Sequence, residues 1–542
     1  MLDSLPPGSQ PATDVVTCKV FIDGTVLSNE ILLMQVTVNK TFNKVASAKV
    51  VFRDGSPSDR DFELSNDDKF KPGNELKIQL GYHGEVDTVF EGIVVKHGIK
   101  VRQNGSVLMI EAKDKAIKLT TGRKSAYFIQ KTDSDAITEL AGELETEIEA
   151  TPLTHSQLVK YDSTDWDFIV IRAEANGMLV LTDDGKLVIK KPATSEEPVM
   201  VAAYGDNILE FEAEMDARRQ VAEVTGKSWD YTQQQDEASD SGTADFEENG
   251  NISSDDLAAV LNANITLNHS GHLTQSQLQN WADAYALRNH LAKIVGRVRV
   301  EGKAAVKPGT MITLEGVGDR FNGNVFVTGV LHHYEGSWIS DIQFGWQDDW
   351  FYKKEDVMNK PAAGLRPGVN GLQIGIVKDV DDTEGGGQYR IKVHIPAFTG
   401  DEGIWARIAT LDAGANRGSY FRPEVGDEVV VGFLSDDPNE PVALGYLHSK
   451  DSKQSPIPEQ SGALESGFVT KEGIKLIFDD TNKRMTLLVP TASGEKSIIL
   501  NTDASALEIK DENQNTIKME AQGITIQSNG IVTIKGSQVL IN

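Results

Sequence analysis

Toward its C-terminal end the chain carries short apolar pairs at strand spacing: Ile498/Leu500, Leu507/Ile509, Ile517/Met519, Ile524/Ile526, Val532/Ile534 and Val539/Ile541. Residues two apart on a strand project to the same side, so each pair offers a small apolar face. The intervening Ile499, Glu508, Lys518, Thr525, Thr533 and Leu540 point the other way. Between the pairs lie Asp503-Ala504-Ser505, Asn513-Gln514-Asn515, Gln522-Gly523, Ser528-Asn529-Gly530 and Gly536-Ser537, residue types that tolerate tight or left-handed turns. One chain with two inward side chains per step removes little surface from water, and a single-chain solenoid needs about three coils to bury a core. Three copies wound about a common axis solve this, because every inward pair then meets its counterparts. The pattern therefore predicts a trimeric β-helix, or β-prism, needle over 468–542 with these pairs, Val532, Ile534, Val539 and Ile541 included, as its trimer core. The alternative is an ordinary antiparallel meander, built from strands nearer ~5–6 residues.

Composition limits the partners. The 542 residues are enough for three or four domains. With 53 Lys+Arg against 81 Asp+Glu the net charge is −28, which argues against nucleic acid and against anionic membrane surfaces as resident partners. Cys18 is the only cysteine, so neither an intrachain disulfide nor a thiolate zinc site is expected. The first residues, MLDSLPPGSQPATD, lack the basic and apolar regions of a secretory signal, and no run of about 18 apolar residues marks a membrane span. The expectation is cytoplasmic assembly, with any export carried out by other components.

Along the chain, residues 1–14 read as a flexible N-terminus and 15–121 as a β-barrel or sandwich, with strands over 15–22, 31–38, 46–52, 75–81, 89–98 and 107–113. An α/β insertion covers 122–200, with one helix expected over 134–149 and another running from Ser163 or Thr164 to the stop at Asn176-Gly177. A second β-block spans 201–358 and holds a polar and helical insertion at about 231–290, its stretch 233–254 read as a surface loop and 278–295 as a helix. The linkers 359–371 and 449–467 bracket a five-strand module over 372–448.

That module carries the most specific motifs: GIVKDVDDTEGGGQYRIKVHIPAF, then IWARIAT, then RPEVGDEVVVGFLSDDPNEPVALGYLHS. It resembles the OB-fold barrel of phage-baseplate spikes and VgrG proteins, with Gly375, Arg390, Lys392, Val393, Trp405, Arg407, Pro423, Glu424, Gly426, Asp427, Glu428, Val429, Asp437, Pro438 and Pro441 in the family's motif places. YDSTDWDFIVIRAEANGM is similar to the family's hub helix, GNVFVTGVLHHYEG to the closing strand of its second barrel, and KEGIKLIFDDTNKRMTLLV to the start of its needle. The resemblance implies a mainly β protein with two tube-type β-barrels bearing α/β insertions, an OB-fold barrel and a C-terminal trimeric β-helix needle. It also implies a homotrimer whose six hub barrels dock on a hexameric inner tube protein among other baseplate proteins. From there it would be injected as part of a phage tail-like particle, touching the target membrane transiently and bringing effector cargo.

No enzymatic chemistry and no cofactor or metal is expected. The interval 449–467 is too short for the lysozyme domain that some relatives insert there, and the chain stops at Val539-Leu540-Ile541-Asn542 without a fused toxin. Those four residues would form an apolar tip, no histidine follows His448 to hold a tip metal, and the resemblance implies a small PAAR-type cone protein as the cap. Adjacent His332 and His333 point to opposite faces of a strand, Gly385-Gly386-Gly387 lacks the Lys-Ser/Thr of a phosphate loop, and 435–441 reads as a hairpin rather than a calcium loop. The rival readings are a cell-wall hydrolase or glycan-binding spike using the OB barrel, and a passive adhesin fibre.

Overall fold

The structure of the protein, a computed structural model, describes residues 15–103, 105–346, 349–354, 357, 360–383, 386–451, 453–457, 464–502 and 506–541. The expected flexible stretch 1–14, Gly385 of the expected glycine turn, the turn at 503–505 and Asn542 lie outside the described residues. The chain divides into two compact units, 1–359 and 360–542.

In the first unit, where two β-barrels are expected, one thirteen-stranded sheet runs through both β-blocks as two rolls with separate cores. The strands Val16–Ile22, Leu33–Thr41, Ser47–Arg53, Glu75–Tyr82, Glu85–Arg102 and Gly105–Lys113 curl around Val36, Val50, Phe52, Leu76, Phe90 and Ile110. The strands Ile208–Met215, Ile294–Glu301, Met311–Glu315, Gly323–Glu335 and Ser337–Phe344 curl around Val298, Ile312, Leu314, Val327 and Ile342. Antiparallel pairing of Leu33–Thr41 with Gly323–Glu335 joins the two rolls, His332 opposite Val38. Alternation sets the register: Val36 lies opposite Val50 and Val50 opposite Ile110, all inward, so a slip of one residue would turn the core face outward. As alternation requires, His332 is buried and His333 is not; the His332 Nδ1 is 2.8 Å from Ser340 Oγ, and burial pushes its imidazole down to about 3.

The insertion after the first roll corrects one expectation. The helix predicted over 134–149 is Asp133–Ala141 only; Gly142 leaves the helical region at φ 61, and Glu145–Ile148 becomes a strand parallel to Lys186–Lys190. Its start is a capping box between Thr132 and Asp135. The next helix, Asp165–Ala175, is capped by Thr164 and ends before Gly177 at φ 67, as the sequence predicts. Asp133 ties the two together: its carboxylate accepts from Arg172 Nε at 2.6 Å and Nη2 at 3.0 Å and from Asn176 Nδ2 at 2.9 Å, with His155 Nε2 at 3.0 Å. Burial pushes this carboxyl up, but the Arg172, Asn176 and His155 contacts outweigh it and hold it below its ordinary value. The polar stretch read as a loop contains a further strand, Gln235–Ala238, paired with Glu223–Asp230. The following long helix starts at Gln275, earlier than expected, because Thr274 and Gln277 form a capping box.

In the second unit the five expected strands form a closed barrel: Gln373–Asp379, Ile391–His394, Ile404–Ile408, Pro441–Tyr446 and Glu428–Phe433, in that spatial order. Val377, Ile391, Val393, Ala406, Val429, Val431 and Ala443 fill its interior. The last sheet is a seven-stranded antiparallel ladder in chain order: Glu465–Val469, Lys475–Asp479, Arg484–Thr491, Gly494–Asn501, Ala506–Lys510, Thr516–Glu520 and Gly523–Gln527. Within one chain this is the alternative meander, with strands of ordinary length.

The ladder also stops earlier than expected, which corrects the placement of four predicted core residues. Val532, Ile534, Val539 and Ile541 lie beyond its last strand in irregular backbone, not in strands. In this single chain Ile534 is 66% exposed, as is Ile524 in the last strand. The strand ends at Gln527, bends follow at Asn529-Gly530, and the short pairs beyond have no neighbouring strand within the chain to lie against.

Candidate assembly face

The register of the C-terminal ladder decides which side chains share a face. One row runs Phe468, Leu476, Leu487, Ile498, Ile509, Ile517, Ile526, each directly opposite the next across a strand boundary. A second runs Met485, Leu500, Leu507, Met519, Ile524, with Phe478 opposite Met485. Eight of the predicted core residues, Ile498, Leu500, Leu507, Ile509, Ile517, Met519, Ile524 and Ile526, are therefore brought together on one side of the sheet. The opposite side carries Thr486, Ile499, Glu508, Lys518 and Thr525 in register, with Lys518 ion-paired to Glu520 at 2.6 Å.

Among the described residues the apolar side is covered only in part, at Phe468 by the stacked Phe421 ring and at the groove by Ile531 and Val532. Ile498 is 36% exposed, Ile509 39%, Met519 43% and Ile526 56%, values that a core residue would not keep. Leu487, Ile498, Ile509, Ile517 and Ile526 line an open apolar groove, and Ile531 and Val532 from the segment after the last strand also border it. Val532 thus joins the face without being in a strand. Its predicted companion Ile534 does not: it is absent from the groove lining and belongs to neither row. Leu540 and Ile541, from the predicted tip, are 87% exposed in irregular backbone. Phe468, Leu476, Phe478, Met485 and Leu487, which the sequence reading leaves outside the core, extend both rows. Their signal is the same spacing of two, present at Leu476/Phe478 and Met485/Leu487.

The OB motif residues make contacts within the barrel and its turns. Arg390 Nε and Nη2 donate to Asp382 at 3.1 and 3.0 Å, and its guanidinium lies 5.8 Å from the Trp405 ring centroid. Lys392 sits opposite Trp405, and Arg407 opposite Val442, in the ladder. Pro423 is buried, and Glu424 and Asp427 close a turn in which Gly426 takes φ 92, the left-handed third position that a type II turn gives to glycine. Asp427 accepts from Glu424 N at 2.9 Å and Lys453 Nζ at 2.8 Å, Glu424 pairs with Lys471 at 3.0 Å, and Glu428 opens the strand opposite Ile376. Among the described residues no group of three or more His, Cys, Asp or Glu side chains could hold a metal, and no helix is long and apolar enough to cross a membrane.

The chain thus strings together two rolls that share one sheet, an OB barrel and an amphipathic ladder. Residues 12–336 match the family described as the Alg8 N-terminal domain, and residues 373–448 match the type VI secretion system/phage-baseplate injector OB domain. The chain belongs to the Alg8 N-terminal domain family, and over 373–448 it carries an OB domain of the type VI secretion system/phage-baseplate injector kind, in line with its resemblance to VgrG and phage-baseplate spikes. It is 26% identical over 160 residues to the actin cross-linking toxin VgrG1 of Vibrio cholerae serotype O1, a match covering 28% of this chain and 14% of that protein. To the type VI secretion system spike protein VgrG3 of Vibrio cholerae serotype O1 it is 34% identical over 76 residues, 13% of this chain and 8% of that one. The matched stretches thus span a small part of these relatives. A solved tail protein from Neisseria meningitidis MC58 superposes with a TM-score of 0.43 at 16% identity, covering 62% of this chain and 98% of the other.

Proposed function

We propose that this protein is the central spike of a contractile injection system. Three copies bring their C-terminal ladders together, apolar rows inward, and form a needle. The two rolls of each copy give the trimer six near-equivalent surfaces, which meets the symmetry of a hexameric inner tube. Baseplate proteins surround this hub. A PAAR-type protein covers the tip at Val539, Leu540, Ile541 and Asn542, effector cargo travels with the assembly, and sheath contraction drives it through the target membrane. The protein itself contributes shape and stiffness and no catalysis. It assembles in the cytoplasm and leaves the cell as part of the particle.

The observation that carries this reading is the pair of apolar rows: an amphipathic sheet with seven aligned side chains in one row, of which Ile498, Ile509 and Ile526 stay 36%, 39% and 56% exposed. A monomeric soluble protein rarely leaves so continuous an apolar patch in water. The test is electron microscopy of particles from producing cells with and without the gene. Tube-and-sheath particles carrying a threefold density at the tube end, lost on deletion together with delivery into target cells, are expected. Delivery that persists without the gene, or peptidoglycan clearing by the purified protein in a zymogram, would overturn the proposal.

A further inference from the structure

In the N-terminal unit the run 246–252 is fastened to its neighbours residue by residue. The Phe246 ring centroid lies 5.5 Å from that of His290, which sits in the last turn of the helix Gln275–Leu291. The Glu247 amide donates to Thr194 Oγ1 at 3.2 Å, and the Gly250 amide donates to the Asn322 carbonyl at 2.9 Å. Buried Lys293 donates to the carbonyls of Asn249 at 2.7 Å and Ile252 at 3.0 Å, and its ammonium pairs with the Glu248 carboxylate. Asn249 Oδ1 and His290 Nδ1 stand outside this network: both atoms are buried, and neither has a hydrogen-bond partner among the described residues.

Asn249, His290 and Thr194 line one small cavity, which Leu291 and Phe326 of one apolar cluster and Ile294 of another also border. Asn249 is only 8% exposed. A buried acceptor without a partner is destabilising, and native proteins rarely keep one. The space open to a water centre is about 20 Å³, against the ~10–15 Å³ that one water requires. The polar groups around it suit a water: Asn249 Oδ1 only accepts, His290 Nδ1 accepts when the ring proton is on Nε2, and the Thr194 hydroxyl has its own proton to donate. A cation is disfavoured by the Lys293 ammonium, already bonded to the Asn249 carbonyl.

We propose that this cavity is the site of one structural water, which donates to Asn249 Oδ1 and to His290 Nδ1 and accepts from the Thr194 hydroxyl. That gives it about three hydrogen bonds, the usual number for an internal water. The water fixes His290 as the Nε2–H tautomer and adds a side-chain link between the run 246–252 and the end of the helix. Burial pushes the His290 imidazole down, which keeps the ring neutral and able to accept. The inference does not depend on the needle or on the spike reading.

The test is a crystal structure of the full chain at a resolution that shows ordered waters, for the wild type and for Asn249→Leu and His290→Phe. In the wild type one peak of density is expected about 3 Å from each of Asn249 Oδ1, His290 Nδ1 and Thr194 Oγ1. Each substitution removes one of the two acceptors at similar side-chain size, so the peak should be lost in both variants. Lys293 should stay bonded to the carbonyl of residue 249, and the circular dichroism should match that of the wild type. A dry cavity in the wild type, an Asn249 amide turned to bond His290 directly, or density that persists in either variant would overturn the proposal.

Discussion

His332 and Asp133 are buried polar groups with opposite solutions. His332 stays neutral inside the sheet, beside Ser340 and 5.7 Å from the Trp338 ring, with its pKa pushed down to about 3 by burial and by Lys40. In the unfolded chain it takes a proton near ~6.5. The folded state therefore loses stability as pH falls from about 6.5 toward 3, because unfolding takes up a proton that folding excludes. Replacing His332 by Gln should flatten the decline in urea-unfolding free energy between pH 7 and pH 5, by roughly one proton per molecule. Asp133 instead stays charged among Arg172, Asn176 and His155, and its depressed pKa makes its contribution present above the ordinary carboxylate value and lost in stronger acid. Asp133→Ala should cost about 3 kcal/mol in the same urea experiment, since it leaves Arg172 without its partner. The alternation that buries His332 and exposes His333 could be read from the sequence. The Asp133 cluster could not, because its partners come from a separate strand and helix that only the fold brings together.

Strands and helices differ in how far local sequence determines them. The OB strands appear almost where turn residues and alternation place them, because each is bounded by Gly, Pro or Asp and fills its own closed core. The helix after Thr132 is shorter than its apolar spacing suggests, because Gly142 and pairing with Lys186–Lys190 take over its second half. In the C-terminal ladder the face of each residue was legible from its spacing of two, while the end of the ladder depended on whether a neighbouring strand exists to pair with. Ile526 and Ile534 show the difference: both sit in a pair of the same spacing, but only Ile526 has a strand partner, Ile517. This gives a differential expectation. Ile498→Asp with Ile509→Asp places charges where the lone chain is already exposed, so circular dichroism and the melting of the barrel should change little. The same pair should abolish association, because unpaired charges buried between copies cost several kcal/mol. Glu508→Ala on the opposite side should leave association unchanged. Analytical ultracentrifugation of the three proteins checks this; equal association of the Asp variant would remove the face from the account.

In the proposed trimer, three copies of a chain with net charge −28 would repel one another, so the apolar rows would have to supply the association. Added salt screens that repulsion and leaves burial of apolar area in place, so the assembly should tighten as ionic strength rises from low values. The OB barrel and the mainly β architecture were legible because the OB motifs and the strand patterns are local signals. The merging of both hub barrels into one thirteen-stranded sheet was not, since it rests on the pairing of Leu33–Thr41 with Gly323–Glu335, far apart in the chain. Mass photometry of the purified full-length protein at nanomolar concentration and moderate salt puts the threefold needle to the test. A single species at three times the chain mass, reduced to one chain by Ile498→Asp with Ile509→Asp, is the expected result; a folded wild-type protein that weighs one chain under all these conditions would contradict it.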